Sequence, residues 1–150
     1  MKEECDGLGA KYEAPDDLDQ LYFREDIHGQ QIFHLIDAVN DWKKEIDVLP
    51  SRYFDTHEDA IKYHGYSNYD NYLKLVRADT TRIGCAEVHC QDDGRRSYRV
   101  FCLMNNMPLK SGDVVYQIGK GGCTEDDASS CPDGSSCERE TGLCKMDEEQ

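Results

Sequence analysis

The sequence predicts an α+β fold: a small antiparallel sheet held between two covering layers, followed by a short module held by disulfides. Three observations carry this. The stretch from Thr80 to Asn105 contains Asp93-Gly94, the strongest two-residue hairpin signal, with β-formers on both sides. From Gln30 to Asp47, apolar residues recur at three- and four-residue intervals, as on one face of a helix. From Gly119 onward the chain holds four cysteines and almost no other large apolar residue.

With 93 and 94 as the loop, Cys85 lies opposite Cys102 on adjacent strands, close enough to bridge. Ile83 opposite Met104 and Glu87 opposite Val100 share the cysteine face, while Ala86 meets Phe101 and Gly84 meets Leu103 on the reverse. Both faces carry apolar groups, so both need cover.

At 150 residues the chain suits one domain with an appendage, and 32% charged against 38% hydrophobic residues implies a modest core. The net charge of −14 repels phosphate backbones, which argues against nucleic acid and suits a basic partner. Eight cysteines point to disulfides and an oxidising compartment. The spacing of Cys123, Cys131, Cys137 and Cys144 lacks the C-x2-C knuckles of structural zinc sites. Pairing among these four, Cys5 and Cys90 stays open at this level. No apolar run approaches the roughly 18 residues of a membrane span. The acidic start of the chain is no signal peptide, so a secreted form is expected to have lost its leader.

In order, residues 1–20 read as an extended arm tied down by Cys5, and 22–27 as a semi-apolar approach to the first helix. That helix spans 30–47 with a stripe of Ile32, Leu35, Ile36, Val39, Trp42 and Ile46, closed by Pro50. Thr56 with Asp59 resembles a capping box for a short helix through His64, ended by Gly65. Ser67 with Asp70 opens another, with Tyr69, Tyr72, Leu73 and Val76 inward, to about Ala78. After the hairpin, Ser111-Gly112 turns into a strand from Val114 to Ile118. The expected division is a domain over 1–118 and a disulfide-held module over 119–150, with a solvated tail from Lys145.

Asn71 to Ala86, NYLKLVRADTTRIGCA, is similar to the signature HYTQMVWANTTKIGCA of the CAP superfamily, the cysteine-rich secretory, antigen-five and pathogenesis-related proteins. Val100 to Asn105 resembles the later VVCNY segment, Val115 to Gly119 the IYxxG strand, and Gly142-Leu143-Cys144 the end of the family's hinge. Arg24 to Ile27 resembles GENI, and Trp42 to Glu45 resembles WxxE. The resemblance covers about residues 22–144, and its nearest flavour is the venom-allergen-like, activation-associated proteins secreted by parasitic nematodes. It implies a three-layer α-β-α sandwich with a small disulfide-rich C-terminal module.

The family's cleft gathers two histidines and two acidic residues and can hold a divalent metal. Here Glu25 and Glu45 occupy the acidic positions, Asn71 stands where the signature histidine belongs, and no histidine precedes Glu25. Carboxylates without imidazoles make a weak zinc site, so neither a metal nor another cofactor is expected. Nothing separates the pKa values of the two glutamates for acid/base work, so no catalytic residue and no enzyme is expected. His28, His34, His57, His64 and His89 lack ligand spacing and read as surface or structural groups. Tyr53, Phe54, Tyr63, Tyr66 and Tyr69 could line a lipid or partner contact, against the plainer reading of core cover under an irregular loop.

The resemblance with a broken cleft implies a secreted, non-enzymatic effector. Its partner would be a host extracellular or cell-surface protein, and its action of an immunomodulatory, anti-inflammatory or anti-haemostatic type. The alternative is a carrier of a sterol or fatty acid. The family's first helix is apparently lacking, so a homodimer or a rearrangement of residues 1–23 over the gap is expected.

Overall fold

In chain order the elements are β1 (Asp19–Ile27), α1 (Leu35–Lys44), two 3-10 turns (Glu45–Val48 and Ser51–Phe54), β2 (Ala60–Lys62) and α2 (Asp70–Leu75). There follow β3 (Ile83–Asp92), β4 (Arg95–Met104), β5 (Val114–Gln117), β6 (Ser135–Glu138) and β7 (Leu143–Met146). The computed structural model describes residues 15–54, 59–65, 68–92, 94–118, 122–123, 131 and 133–147. It divides into two compact units, Met1–Gln117 and Ile118–Gln150.

The first unit is organised on β4, the middle strand of an antiparallel sheet in the order β1-β4-β3. The hairpin takes the register its turn dictates: Asp92 pairs Arg95, and Cys85 pairs Cys102. Gly94 has φ +78°, a left-handed conformation that glycine adopts without a Cβ clash. The disulfide between Cys85 and Cys102 forms, with Cα atoms 4.0 Å apart. Along β4, Tyr98, Val100, Cys102 and Met104 are buried on one face, and Ser97, Arg99 and Phe101 on the other, so this strand is covered on both sides. β3 differs: it is an edge strand, and most of it is exposed.

Residues 19–27 form a full strand rather than an approach to a helix. Its alternation of Leu21 and Phe23 inward with Tyr22 and Arg24 outward follows the period of two, and it pairs β4 from Asp19↔Met104 to Ile27↔Arg96. The first helix starts five residues later than the stripe predicts. Gln31 Oε1 accepts from the His28 N–H at 3.0 Å, and Asp37 Oδ2 accepts from the His34 N–H at 2.8 Å. These side chains fix a turn over 28–34 and a helix start at Leu35. The helix then tightens into a 3-10 turn at Glu45.

The apolar stripe is also rotated off the core. Ala38 and Trp42, one turn apart, face the sheet, while Ile32 (73% exposed) and Ile36 (60%) point to water. Trp42 is 1% exposed, and its indole N–H donates to Tyr22 O at 3.2 Å. With Leu21, Phe23, Tyr98, Val100, Cys102 and Met104 it makes the principal core.

A second core lies under the loops: Tyr53, Ile61, Tyr63, Tyr69, Leu73 and Val115. No helix runs to His64. Residues 60–62 are instead a strand paired with β5, Ile61 against Tyr116, because buried Ala60 and Ile61 need a β partner. Thr56, half of the capping signal, lies outside the described residues. β5 ends at Gln117 and belongs to this second small sheet, not to the hairpin's sheet. α2 spans Asp70–Leu75, shorter than expected, with Leu73 buried. Residues 1–14, including Cys5, and Ser67 also lie outside the described residues.

The second unit is a hairpin, β6 paired with β7, stapled by Cys123–Cys137 and Cys131–Cys144. Both strands are largely exposed, as expected of a module that sulfur rather than a core holds together.

Replacing Cys85 and Cys102 together by alanine should lower unfolding stability by about 3 kcal/mol, the chain-entropy value for a loop of this size. Urea unfolding of oxidised wild type against the double variant measures it, and an unchanged midpoint would contradict it.

Candidate functional site

Glu45 sits where α1 passes into its 3-10 turn, and its carboxylate reaches across to the start of α2. Oε1 accepts from the Asn71 side-chain amide and Oε2 from the Tyr72 backbone N–H, each at 2.8 Å. The first N–H groups of a helix have no partner within it, so the carboxylate satisfies a donor that would otherwise be orphaned. Both oxygens are engaged by α2. Glu45 is therefore a strut between two helices.

Glu25 stands apart from that strut. It is exposed on β1 and lines a cleft of about 570 Å³ with Phe23, Phe33, Asp37, Asp41, Lys44 and Asp47. Neither Glu45 nor Asn71 lines this cleft. The structure thus joins Glu45 to Asn71 and leaves Glu25 among other acids. Among the described residues, the group of His, Cys, Asp or Glu close enough to share a cation is Cys123, Cys131 and Cys144, and all three are in disulfides. A thiolate ligand set therefore does not exist there.

Three of the five aromatic candidates are core. Tyr53 (3% exposed), Tyr63 and Tyr69 are buried, so their rings cannot form a contact surface for lipid or partner. Tyr53 meets Tyr69 edge-on at 5.3 Å and His64 at 5.0 Å. The side chain of Phe54, and Tyr66 altogether, lie outside the described residues, as does His57. His34 contributes its backbone N–H to the start of α1, and the His89 ring packs against Tyr98 at 4.9 Å.

The buried phenols are the perturbed groups. Burial, then the hydrogen bond that Tyr63 donates to Asp70 at 3.0 Å, holds its pKa above the usual phenol range. Burial, then the hydrogen bond to Glu87, does the same for Tyr98. Tyr72 is raised by burial and then by Tyr116. These are structural perturbations in packed clusters, and Tyr98 borders the acidic cleft through the rings of Phe23 and Phe33.

One important contact has no sequence signal. Asp19, 1% exposed, meets Lys74 Nζ at 3.0 Å, and the same ammonium donates to Gln20 O at 3.2 Å. It ties α2 to β1 across 55 positions of chain, beyond any helical or strand spacing rule.

The profile of the cysteine-rich secretory protein (CAP) family matches residues 8–105. The chain is 36% identical over 109 residues to Scoloptoxin SSD43 of Scolopendra dehaani; the match covers 72% of this chain and 45% of the toxin, so the chain spans less than half of that relative's length. Among solved structures, it is similar to hookworm platelet inhibitor with a TM-score of 0.61 and 17% identity, over 100% of this chain and 74% of that one. It is also similar to Na-ASP-1 with a TM-score of 0.65 and 16% identity, over 100% of this chain and 36% of that one. At such identities the two structures speak for the fold, an α+β sandwich of the CAP type with a disulfide-rich C-terminal region.

Glu45→Ala should destabilise the protein by about 2 kcal/mol, since it orphans an N–H and an amide that a charged acceptor now holds. Glu45→Gln should cost less, because it keeps an acceptor for one of them. Chemical denaturation ranks the two, and equal losses would contradict the strut. The raised phenols give a second expectation. Their folded pKa lies above the unfolded value of about 10, so their contribution is complete below that pH and is lost as pH rises beyond it. Stability should therefore fall above about pH 10, and Tyr98→Phe should flatten that fall in alkaline urea titrations.

Proposed function

Because this chain belongs to the cysteine-rich secretory protein (CAP) family, we propose that it is a secreted effector. On this reading it binds an extracellular or cell-surface protein of a host and catalyses no reaction. The observation that carries the reading is the engagement of Glu45 by α2: Asn71 and Tyr72 take one carboxylate oxygen each. Each oxygen thus accepts one bond from α2, so the carboxylate is committed to joining the two helices. Among the described residues, Glu25 shares its cleft with Asp37, Asp41 and Asp47 but with no imidazole, so the family's pairing of acids with histidines is not reproduced there.

Burial of Tyr53, Tyr63 and Tyr69 favours protein recognition over lipid carriage, because rings packed against each other leave no groove for a hydrocarbon. Disulfides in both units suit an oxidising, extracellular setting. No described helix is long and apolar enough to cross a membrane. A net charge of −14 would draw the protein to basic surfaces. The relatives' names, a scoloptoxin and a hookworm platelet inhibitor, suit interference with a host process of immune, inflammatory or haemostatic kind.

The full chain should bind platelets or leukocytes saturably, with affinity that weakens as salt rises. It should also emerge without lipid from incubation with cholesterol or palmitate, read by native mass spectrometry. Stoichiometric lipid, or absence of saturable cell binding, would overturn the reading.

A further inference from the structure

Strand β3 is the outer strand of its sheet, paired with β4 alone among the described strands. The phase of the hairpin ladder decides which of its backbone groups face outward. The Asn105 N–H donates to Arg82 O at 3.3 Å, so 82 and 105 form a bonded pair. Cys85 and Cys102, three positions on, have Cα atoms 4.0 Å apart, the short spacing of a non-bonded pair. Ile83, Cys85 and Glu87 therefore turn their N–H and C=O groups away from β4. All three residues are exposed, and these groups have no partner among the described residues.

Natural edges are usually blunted by lysine, proline, a bulge or a short length. β3 is ten residues long, has neither lysine nor proline, and pairs β4 without a register shift. A Cβ built on Gly84 would meet nothing within 4 Å, so the sheet face at that position is open as well. The strand is also held still. Its disulfide fastens it to buried Cys102, and Asn105 Oδ1 accepts from the backbone N–H of Thr81 at 3.1 Å and of Arg82 at 2.9 Å. A rigid, unblunted edge is a template for an added strand, with little ordering cost on its own side.

We propose that the Ile83–Glu87 edge of β3 binds an extended segment of the protein partner as an added strand, with an apolar side chain over Ile83 and a basic one over Glu87. The proposal rests on the reading that this chain acts by binding a protein. Side chains on the cysteine face set the specificity. At one end, Leu75, Ile83 and Met104 line a hollow of about 220 Å³, which suits an aliphatic group. At the other, exposed Glu87 offers a carboxylate that accepts from the Tyr98 hydroxyl. A second copy of the chain is the poorer occupant, because it brings a further charge of −14 against the same sign.

The probes are the capped peptide Thr-Val-Thr-Val-Thr-Lys-Thr and its reverse, one for each strand direction, and the same pair with Glu in place of Lys. NMR titration of the full chain reads even weak binding. One of the Lys peptides should shift and protect from exchange the amides of Ile83, Cys85 and Glu87, and both Glu peptides should bind more weakly. Ile83→Pro removes an outward donor where edge strands tolerate proline, and should weaken binding about tenfold, the equivalent of one hydrogen bond. Glu87→Gln, which can still accept from Tyr98, should erase the preference for Lys over Glu. An undisturbed near-UV spectrum and unfolding midpoint separate these effects from misfolding.

Shifts confined to the acidic cleft, shifts nowhere, chain-dependent dimerisation through β3, or full binding by a folded Ile83→Pro would each overturn the proposal. If cells bind the wild type and Ile83→Pro equally, the edge is wrong and protein binding stands. If the peptide docks on β3 but no cell surface binds, the edge stands and the effector reading fails.

Discussion

The reversal between Asp92 and Arg95 is the constraint on which the first unit depends. Once Gly94 turns the chain, every pair from Asp92↔Arg95 to Ile83↔Met104 is set. A slip of one residue would carry Val100, Cys102 and Met104 from the core to the other face. The same register brings Cys85 and Cys102 together, so the covalent link confirms a pairing that the turn has already chosen. It also makes β4 central, with β1 on its far side. The principal core, from Leu21 to Trp42, is then built on one face of a strand whose position was decided locally.

Around that sheet, carboxylates do structural rather than chemical work. Asp19 takes the Lys74 ammonium to hold α2 against β1, Glu45 takes two donors from α2, and Asp70 accepts the Tyr63 hydroxyl in the second core. α2 is six residues long, too short to be stable from its own backbone bonds. Two acids from other elements, Asp19 and Glu45, anchor it, and its own Asp70 takes the Tyr63 hydroxyl. In a chain with 31 acidic residues, that use leaves Glu25, Asp37 and Asp41 facing an open, solvated cleft.

What was legible in the sequence follows from this division. The hairpin, its register and the Cys85–Cys102 link were legible because turn geometry and a two-residue period are local properties. The family resemblance was legible because Asn71 to Ala86 carries its motif in one unbroken stretch. β1 was not, since Tyr22 to Ile27 shows only two inward apolar groups, Phe23 and Ile27, and its burial comes from β4, far along the chain. The helix boundary failed because Gln31 and Asp37 act as caps within what looks like one stripe. The stripe itself misled: its centre lies near Ile36, whereas packing selects Ala38 and Trp42. The joining of Glu45 with Asn71, and its separation from Glu25, is tertiary geometry that no spacing encodes. Likewise Tyr53, Tyr63 and Tyr69 carry the same letters whether they form a core or a surface.

These placements bear on where recognition can reside. Large aromatic anchors usually dominate protein interfaces, yet here Tyr53, Tyr63 and Tyr69 belong to the second core. The exposed apolar groups that remain, such as Ile32 before α1 and Ile36 on it, are mostly aliphatic and, Tyr22 excepted, offer little hydrogen bonding. A strongly acidic surface adds attraction at long range but little geometry, and salt screens it within about 8 Å at physiological strength. Directional bonding needs fixed donors and acceptors. Backbone groups along a stapled edge strand have that property at no side-chain entropy cost. In this fold, the constraint that sets the register therefore also holds the outer strand in a shape another chain could pair with.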